Sequence, residues 1–281
     1  MDWPLPGSEA SYDAREDLAL LRDAALSVGP LLRAKFGAEY EIWSKGAAGP
    51  VTEVDLAVDR MLKEFLTAAR PDYGWLSEET ADDPVRLERQ CVFVVDPIDG
   101  TRAFIKRKPE FCTALAVVRD GRAVAGVVYN PILEELFEAS SGGGARLNGE
   151  RASVSGAAAI ADCRMLGPQE LFAHKSWPEP WPAMQRSQKN AIAYRIALVS
   201  SGEFDATVSL GYKSEWDLAA ATVIVSEAGG RISDPWNGDF AFNKPDPRLP
   251  GVVCAGPALH PLLIERVTIT PHPSTFAERP E

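Results

Sequence analysis

The sequence predicts an α/β chain in which helices flank a largely buried sheet. Three observations predict it: two helical stripes near the N-terminus, a series of apolar strands through the middle, and a return to alternating strand and helix in the second half. At 281 residues the chain has room for one large or two medium domains of about 150 residues each. A chain of that length buries a core without covalent staples.

Residues 1–12 read as a loose arm. From about Asp13, the residues Leu18, Leu21, Ala25, Val28 and Leu32 recur at helical spacing, and Gly37 stops that helix. After the loop 44–50, Val58, Met61, Leu62, Phe65 and Leu66 form the buried stripe of a second helix, with Pro71 beyond its end. Cys91 to Val95 is a short apolar run before a proline, the pattern of a buried strand. Strands over 113–118 and 123–129 flank Asp120-Gly121, a hairpin turn. Residues 135–139 add another strand before the turn-rich 140–144. Residues 151–160 join two halves, an N-terminal 13–150 and a C-terminal 151–270. In the second half Met165-Leu166 is a strand, and 174–182, with its prolines and tryptophans, is a loop. A helix over 191–201 ends at Gly202, a strand covers 204–210, and a helix over 217–228 is stopped by Gly229-Gly230 before a strand at 231–233. The tail 271–281 reads as flexible.

Composition narrows the function classes. The net charge is −11, with 46% hydrophobic and 25% charged residues, close to globular averages. An acidic chain does not coat nucleic acid, and taken alone its charge also argues against small anionic ligands. Cys91, Cys112, Cys163 and Cys254 form no CxxC pair, so a disulfide framework or thiolate zinc site is not expected. His174, His260 and His272 fall in no HExxH pattern, which disfavours a histidine-built metal site or a Ser–His–Asp hydrolase. No apolar run reaches the roughly 18 residues of a membrane span. The N-terminus lacks a signal-peptide pattern, so a cytoplasmic location is expected.

The segment Val94-Val95-Asp96-Pro97-Ile98-Asp99-Gly100-Thr101 carries the most information. An apolar strand ends in two carboxylates around a proline, Gly100 permits a tight turn, and Thr101 opens a helix. Asp96 and Asp99 either cap local amides or face one spot at the strand's end. There, oxygen-only ligands suit Mg²⁺ with a substrate phosphate, and the Gly100 and Thr101 amides would offer an anion site. Three further acidic features are weak singly. Glu78 and Glu79 in Ser77-Glu78-Glu79-Thr80 read as a solvated face, and Asp55 and Asp217 read as first-turn acids of helices.

In their order along the chain these pieces carry more. Pro50-Val51-Thr52-Glu53-Val54-Asp55, Leu76-Ser77-Glu78-Glu79, Asp96-Pro97-Ile98-Asp99-Gly100-Thr101, and Trp216-Asp217-Leu218-Ala219-Ala220 with Glu227-Ala228-Gly229-Gly230 resemble the inositol monophosphatase superfamily. That superfamily comprises Mg²⁺-dependent, lithium-sensitive phosphomonoesterases, and the resemblance runs from about Asp17 to Leu263. It implies an α/β sandwich of alternating helix and sheet layers, αβαβα. It implies that Glu78, Asp96 and the Ile98 carbonyl hold a first metal, that Asp96 bridges to a second held by Asp99 and Asp217, and that a weaker third sits near Glu78. It also implies that Thr101, with Asp55 and Glu78, orients and deprotonates water while the Gly100 and Thr101 amides hold phosphate. One ion makes hydroxide available near neutral pH and another stabilises the leaving alkoxide, so no histidine is needed. Part of the acidity then recruits the cations that receive phosphate. Dimers are common in the family.

The same comparison bears on substrate. Leu76-Ser77-Glu78-Glu79 and Phe104-Ile105-Lys106-Arg107 followed by Glu110-Phe111 resemble the 3′(2′),5′-bisphosphate nucleotidase branch. Inositol monophosphatases more often carry GEE, and an Asn where this chain has Ala103. Their Gly-Ser/Thr-Ala pocket segment corresponds to Asn190-Ala191-Ile192-Ala193. A glutamate that contacts inositol hydroxyls corresponds to Leu210, which cannot accept those bonds. Lys213 and Asn190 are the candidate substrate contacts. Lys213 either meets a second phosphate or is a surface lysine. Lys106, Arg107 and Lys108 either guide a 5′-phosphate or form a solvated run. The expected reaction removes the 3′-phosphate of 3′-phosphoadenosine 5′-phosphate. Inositol-1-phosphate is next, ahead of fructose-1,6-bisphosphate and histidinol phosphate. A non-enzymatic role as a partner in a transcription complex would not require the full carboxylate set present here.

Overall fold

Every residue of Cys91–Asp99 is buried. Val92 and Val94 pack into one core while Cys91, Phe93 and Val95 pack into another, as in a strand covered on both faces. The structure is a computed structural model describing residues 12–268 except 47, 48 and 176. The expected loose ends at 1–11 and 271–281 lie outside the described residues. Tyr12, at the edge of that arm, is tied down: its hydroxyl donates to Asp17 and its ring lies under Arg119.

In chain order the first half contains α1 (Ala14–Lys35), β1 (Ile42–Ser44), β2 (Pro50–Thr52), α2 (Glu53–Ala69), β3 (Gly74–Ser77), a 3-10 turn at Pro84–Glu88, β4 (Cys91–Asp99) and α3 (Thr101–Ile105). It continues as a meander of β5 (Cys112–Arg119), β6 (Arg122–Asn130), β7 (Glu135–Ser140), β8 (Gly144–Leu147) and β9 (Glu150–Arg151). The second half contains β10 (Arg164–Leu166), α4 (Gln169–Phe172), β11 (Gln185–Ser187), α5 (Ile192–Ser200), β12 (Ala206–Ser209), β13 (Lys213–Ser214), α6 (Glu215–Glu227), β14 (Arg231–Ser233), β15 (Arg248–Leu249), β16 (Val252–Ala255) and α7 (His260–Thr268).

Strands β3 to β9 form a seven-stranded sheet in sequence order, parallel at β3–β4 and antiparallel elsewhere. A five-stranded sheet runs β11-β10-β12-β16-β14. Helices α1 and α2 cover one face of the larger sheet, and α5 and α6 fill the space between the two sheets. Leu171 and Phe172 of α4 and Leu263 and Val267 of α7 pack on the outer face of the smaller sheet with Val208 and Val253. The layers alternate αβαβα as expected. Among the described residues no helix is long and apolar enough to cross a membrane, and all four cysteines are free and buried.

Local chemistry explains the boundaries. Asp13 caps α1 by accepting the Arg15 amide, and Gly37 takes the left-handed φ of 82° beyond the helix end. Thr52 and Asp55 form a capping box that starts α2. Asp120 and Gly121 both have positive φ, 49° and 77°, which a two-residue hairpin turn requires.

Two expectations need correction. Met61 and Phe65 are 38% and 40% exposed, not buried. The stripe of α2 runs through Val54, Val58, Leu62 and Leu66 at steps of four, and residues one position earlier are rotated about 100° off it. Strand β4 also does not end at Val95. It continues through Pro97 by means of a bulge: Asp96 opposes Ala114 and Asp99 opposes Cys112, so β4 uses one more residue than β5 there. The short α4 and β11 were not expected, because neither is long enough to show a period.

Helix α6 lies directly on the larger sheet at Gly126 of β6. A Cβ there would meet the Ala220 carbonyl oxygen at 2.6 Å and Val223 Cγ1 at 2.7 Å. Gly126→Ala should therefore push α6 outward and destabilise the fold by about 1–3 kcal/mol, readable as a lower midpoint in urea denaturation.

Candidate active site

Three carboxylates meet where β4 ends. Asp96 and Asp99 come from β4 and Asp217 from the first turn of α6, and each offers an oxygen within 4.8 Å of the others. The bulge makes this possible, since residues three apart on a regular strand face opposite ways. Asp99 Oδ2 accepts the Ala193 amide at the start of α5, at 2.6 Å. Asp217 Oδ2 accepts the Ser214 amide, also at 2.6 Å. Asp96 Oδ1 is buried with no hydrogen-bond partner.

Burial is the first cause that raises all three carboxyl pKa values. Glu78, Asp99 and Asp217 raise Asp96 further. Asp217 raises Asp99, and Glu78 raises Asp217, against the pull of the amides they accept. Crowded buried carboxylates with an orphaned oxygen are suited to hold a cation. The donors are hard oxygens, and the nearby Cys112 thiol is kept protonated by its own burial. The residues therefore fit a hard divalent ion of the Mg²⁺ kind.

Beside the trio, the Thr101 hydroxyl lies 3.0 Å from Asp55 Oδ1 and 3.1 Å from the Ile98 carbonyl oxygen. Asp55 Oδ2 accepts the Thr52 amide and hydroxyl, and burial raises the Asp55 pKa despite those bonds. Gly100 holds a φ of 97°, and a Cβ there would crowd the Glu110 carbonyl oxygen at 3.1 Å and Ala191 Cβ at 3.2 Å.

Glu78 stands outside the trio. Lys45 Nζ, from the β1–β2 loop, donates to Glu78 Oε1 and to Glu79 Oε1, each at 2.9 Å. Burial pushes Glu79 up to about 7, against the pull of Lys45. The cavity over the carboxylates, of about 360 Å³, is bordered by Asn190, Arg195, Lys213, Tyr212 and Arg102. Lys213 Nζ donates to the Gly211 and Tyr212 carbonyl oxygens, and burial lowers its pKa. Leu210 is buried in the outer core, away from this cavity. Lys106, Arg107 and Lys108 are exposed and do not line it.

Sequence reasoning missed Lys45, Arg102 and Arg195. Arg195 had a signal: it is the one charged residue inside the apolar helix 192–200. It is 7% exposed, and its Nε has no hydrogen-bond partner. Burial pulls its pKa down while Asp99 and Asp217 oppose that shift.

The chain matches the inositol monophosphatase family over residues 13–271. It is 34% identical over 241 residues to an inositol-1-monophosphatase from Caulobacter vibrioides, covering 82% of this chain and 91% of that one. It is 32% identical over 203 residues to the Nus factor SuhB of Salmonella typhimurium, covering 69% and 75% of the two. The solved structure of extragenic suppressor protein suhB from Bartonella henselae superposes with a TM-score of 0.79 at 28% identity, covering 90% of this chain and 99% of that one.

Carboxylates with raised pKa hold more protons folded than unfolded, so their contribution to stability is present in acid and lost as pH rises toward neutrality. Metal-free protein should thus lose more Tm between about pH 5 and about pH 8 than an Asp96→Asn variant does. Mg²⁺ should restore the wild-type loss by binding the folded state, and should shift the variant less. Thermal melts at the two pH values, with and without Mg²⁺, read both effects.

Proposed function

The chain belongs to the inositol monophosphatase family, and from that premise we propose that it is a Mg²⁺-dependent phosphomonoesterase whose ester carries a second anionic group, with 3′-phosphoadenosine 5′-phosphate as the substrate cleaved at its 3′-phosphate. Family members are hydrolases of phosphoric monoesters. The observation that carries the catalytic reading is the buried trio Asp96, Asp99 and Asp217 with an unpartnered oxygen on Asp96.

Asp96, Asp99, Asp217, Glu78 and the Ile98 carbonyl would hold the Mg²⁺, in two to three sites. Mg²⁺ bound there supplies charge against the phosphoryl oxygens and makes hydroxide available near neutral pH. Glu78 lines the same cavity, and Lys45 contacts its Oε1. The Thr101 hydroxyl donates to Asp55 Oδ1, which leaves its lone pairs to accept from the attacking water. Asp55 then takes the proton through Thr101, helped by burial that raises its pKa. The Gly100 and Thr101 amides, at the first turn of α3, orient the phosphate.

The cavity supports a second anion. Arg195 and Lys213 both border it, and a buried guanidinium with an unmade hydrogen bond is costly unless a ligand completes it. Leu210 offers no acceptor for sugar hydroxyls. Inositol-1-phosphate is the second reading, favoured by the name of the Caulobacter relative. The Salmonella Nus factor relative favours an additional binding role in transcription, in which a metal-site variant would still capture its partner.

Phosphate release with Mg²⁺ should give the highest kcat/KM for 3′-phosphoadenosine 5′-phosphate among that ester, inositol-1-phosphate, fructose-1,6-bisphosphate and histidinol phosphate. If inositol-1-phosphate led by about tenfold, equal to about 1.4 kcal/mol, the substrate assignment would be wrong. Asp96→Asn should remove about 3–4 kcal/mol of transition-state stabilisation, and near-full activity at saturating Mg²⁺ would refute the ligand assignment. Arg195→Gln should raise KM for the bisphosphate by about 10–100-fold, the loss of a charge-assisted hydrogen bond, with a smaller effect on an ester bearing one phosphate.

A further inference from the structure

The carboxylate trio stands at the C-terminal end of β4. A larger cavity, of about 920 Å³, lies at the other end of the same strand pair, and the chemistry proposed above makes no use of it. Cys91, which opens β4, pairs with Arg119 at the end of β5, whereas Asp99 pairs with Cys112. A rise of about 3.3 Å per residue separates the two ends by roughly 25 Å. The walls of this cavity come from the first turns of α1, the β5–β6 turn and the β7–β8 turn.

Five arginines line it, Arg15, Arg22, Arg119, Arg122 and Arg146, against the three carboxylates of Asp13, Asp120 and Glu138. Two of the arginines are engaged. Arg22 Nε meets the buried Glu138 Oε2 at 2.5 Å, and Arg15 Nε meets Asp13 at 3.0 Å. The other three retain donors. Arg119 lies 4.3 Å from the centre of the Tyr12 ring, its Nε is buried without a hydrogen bond, and its nearest carboxylate oxygen, on Asp120, is 3.6 Å away. Arg146 donates through Nη1 to the Gly149 carbonyl oxygen. The side chain of Arg122 takes part in no hydrogen bond or ion pair among the described residues.

A cationic surplus at one spot of a chain with net charge −11 is not a by-product of composition. The cations are all arginine, whose planar fork matches phosphate and carboxylate in a bidentate way that a lysine ammonium does not. The floor is partly apolar, with Leu18, Ala19 and Val124, so it accepts the body of an organic anion. The acidic remainder of the chain argues against a nucleic-acid strand. We propose that this cavity is a second binding site, for a small polyanion bearing at least two phosphate or carboxylate groups, held by Arg119, Arg122 and Arg146.

Isothermal titration calorimetry of metal-free protein with inorganic pyrophosphate tests this, because without divalent ions the catalytic cavity lacks the cations proposed to receive phosphate. One saturable site is expected, and citrate in a parallel titration tells carboxylate from phosphate recognition. Arg122→Ser combined with Arg146→Ser should raise Kd by about tenfold or more. Both residues are exposed, so Tm and phosphatase kcat/KM should be unchanged in the double variant. Asp96→Asn should leave this binding intact, which separates the second site from the catalytic one. Failure of both probes to saturate below about 1 mM, or equal binding by the double variant, would overturn the proposal.

Discussion

On a regular strand, side chains three positions apart leave on opposite faces. Asp96 and Asp99 escape that rule because β4 inserts one residue against β5 between them. Pro97 sits inside the bulge, where its missing N–H breaks no ladder bond, and its carbonyl accepts the Thr113 hydroxyl at 2.8 Å. Ile98 anchors the bulge by burying its side chain against α1 and α2, while its carbonyl faces the Thr101 hydroxyl. Without the extra residue Asp99 would face α1 and α2, and the trio with Asp217 would not exist.

Concentrating carboxylates in a buried spot is costly, and the fold offsets part of that cost with helix ends. Asp55 lies in the first turn of α2, Thr101 opens α3, the Ala193 amide lies at the start of α5, and Asp217 lies in the first turn of α6. Each of these helices directs its N-terminal end, with its partial positive charge and unpaired amides, toward the same place. Much of the middle helix layer is apolar. Arg195, in the first turn of α5, adds a positive charge near Asp99 and Asp217.

Much of this was legible in the sequence because it is local. The helix stripe of α1, the first-turn acid Asp55, the Asp120-Gly121 turn and the order of the acidic motifs all follow from neighbours a few positions apart. What was illegible depends on contacts distant in sequence. Nothing in residues 53–69 says that Met61 and Phe65 face solvent, since that depends on which side α1 and the sheet cover. No periodicity announces a bulge. Lys45 meets Glu78 and Glu79, which lie 33 and 34 positions further along the chain. Leu210, which the family resemblance aligned with a substrate-contacting glutamate, packs into the outer core.

Net charge shows why averages mislead here. A value of −11 treats the chain as one acidic body, yet strands β4 and β5 carry opposite chemistry at their two ends. One end gathers buried carboxylates whose pKa values burial and mutual repulsion raise, and the other gathers arginines with donors to spare. Salt screens charges beyond about 10 Å, and the two ends are separated by more than twice that distance along the strands. Each therefore sets its own local potential. On the function proposed above, the acidic end holds hard cations and through them receives phosphate. The arginine end meets anions directly, and needs no metal to do so.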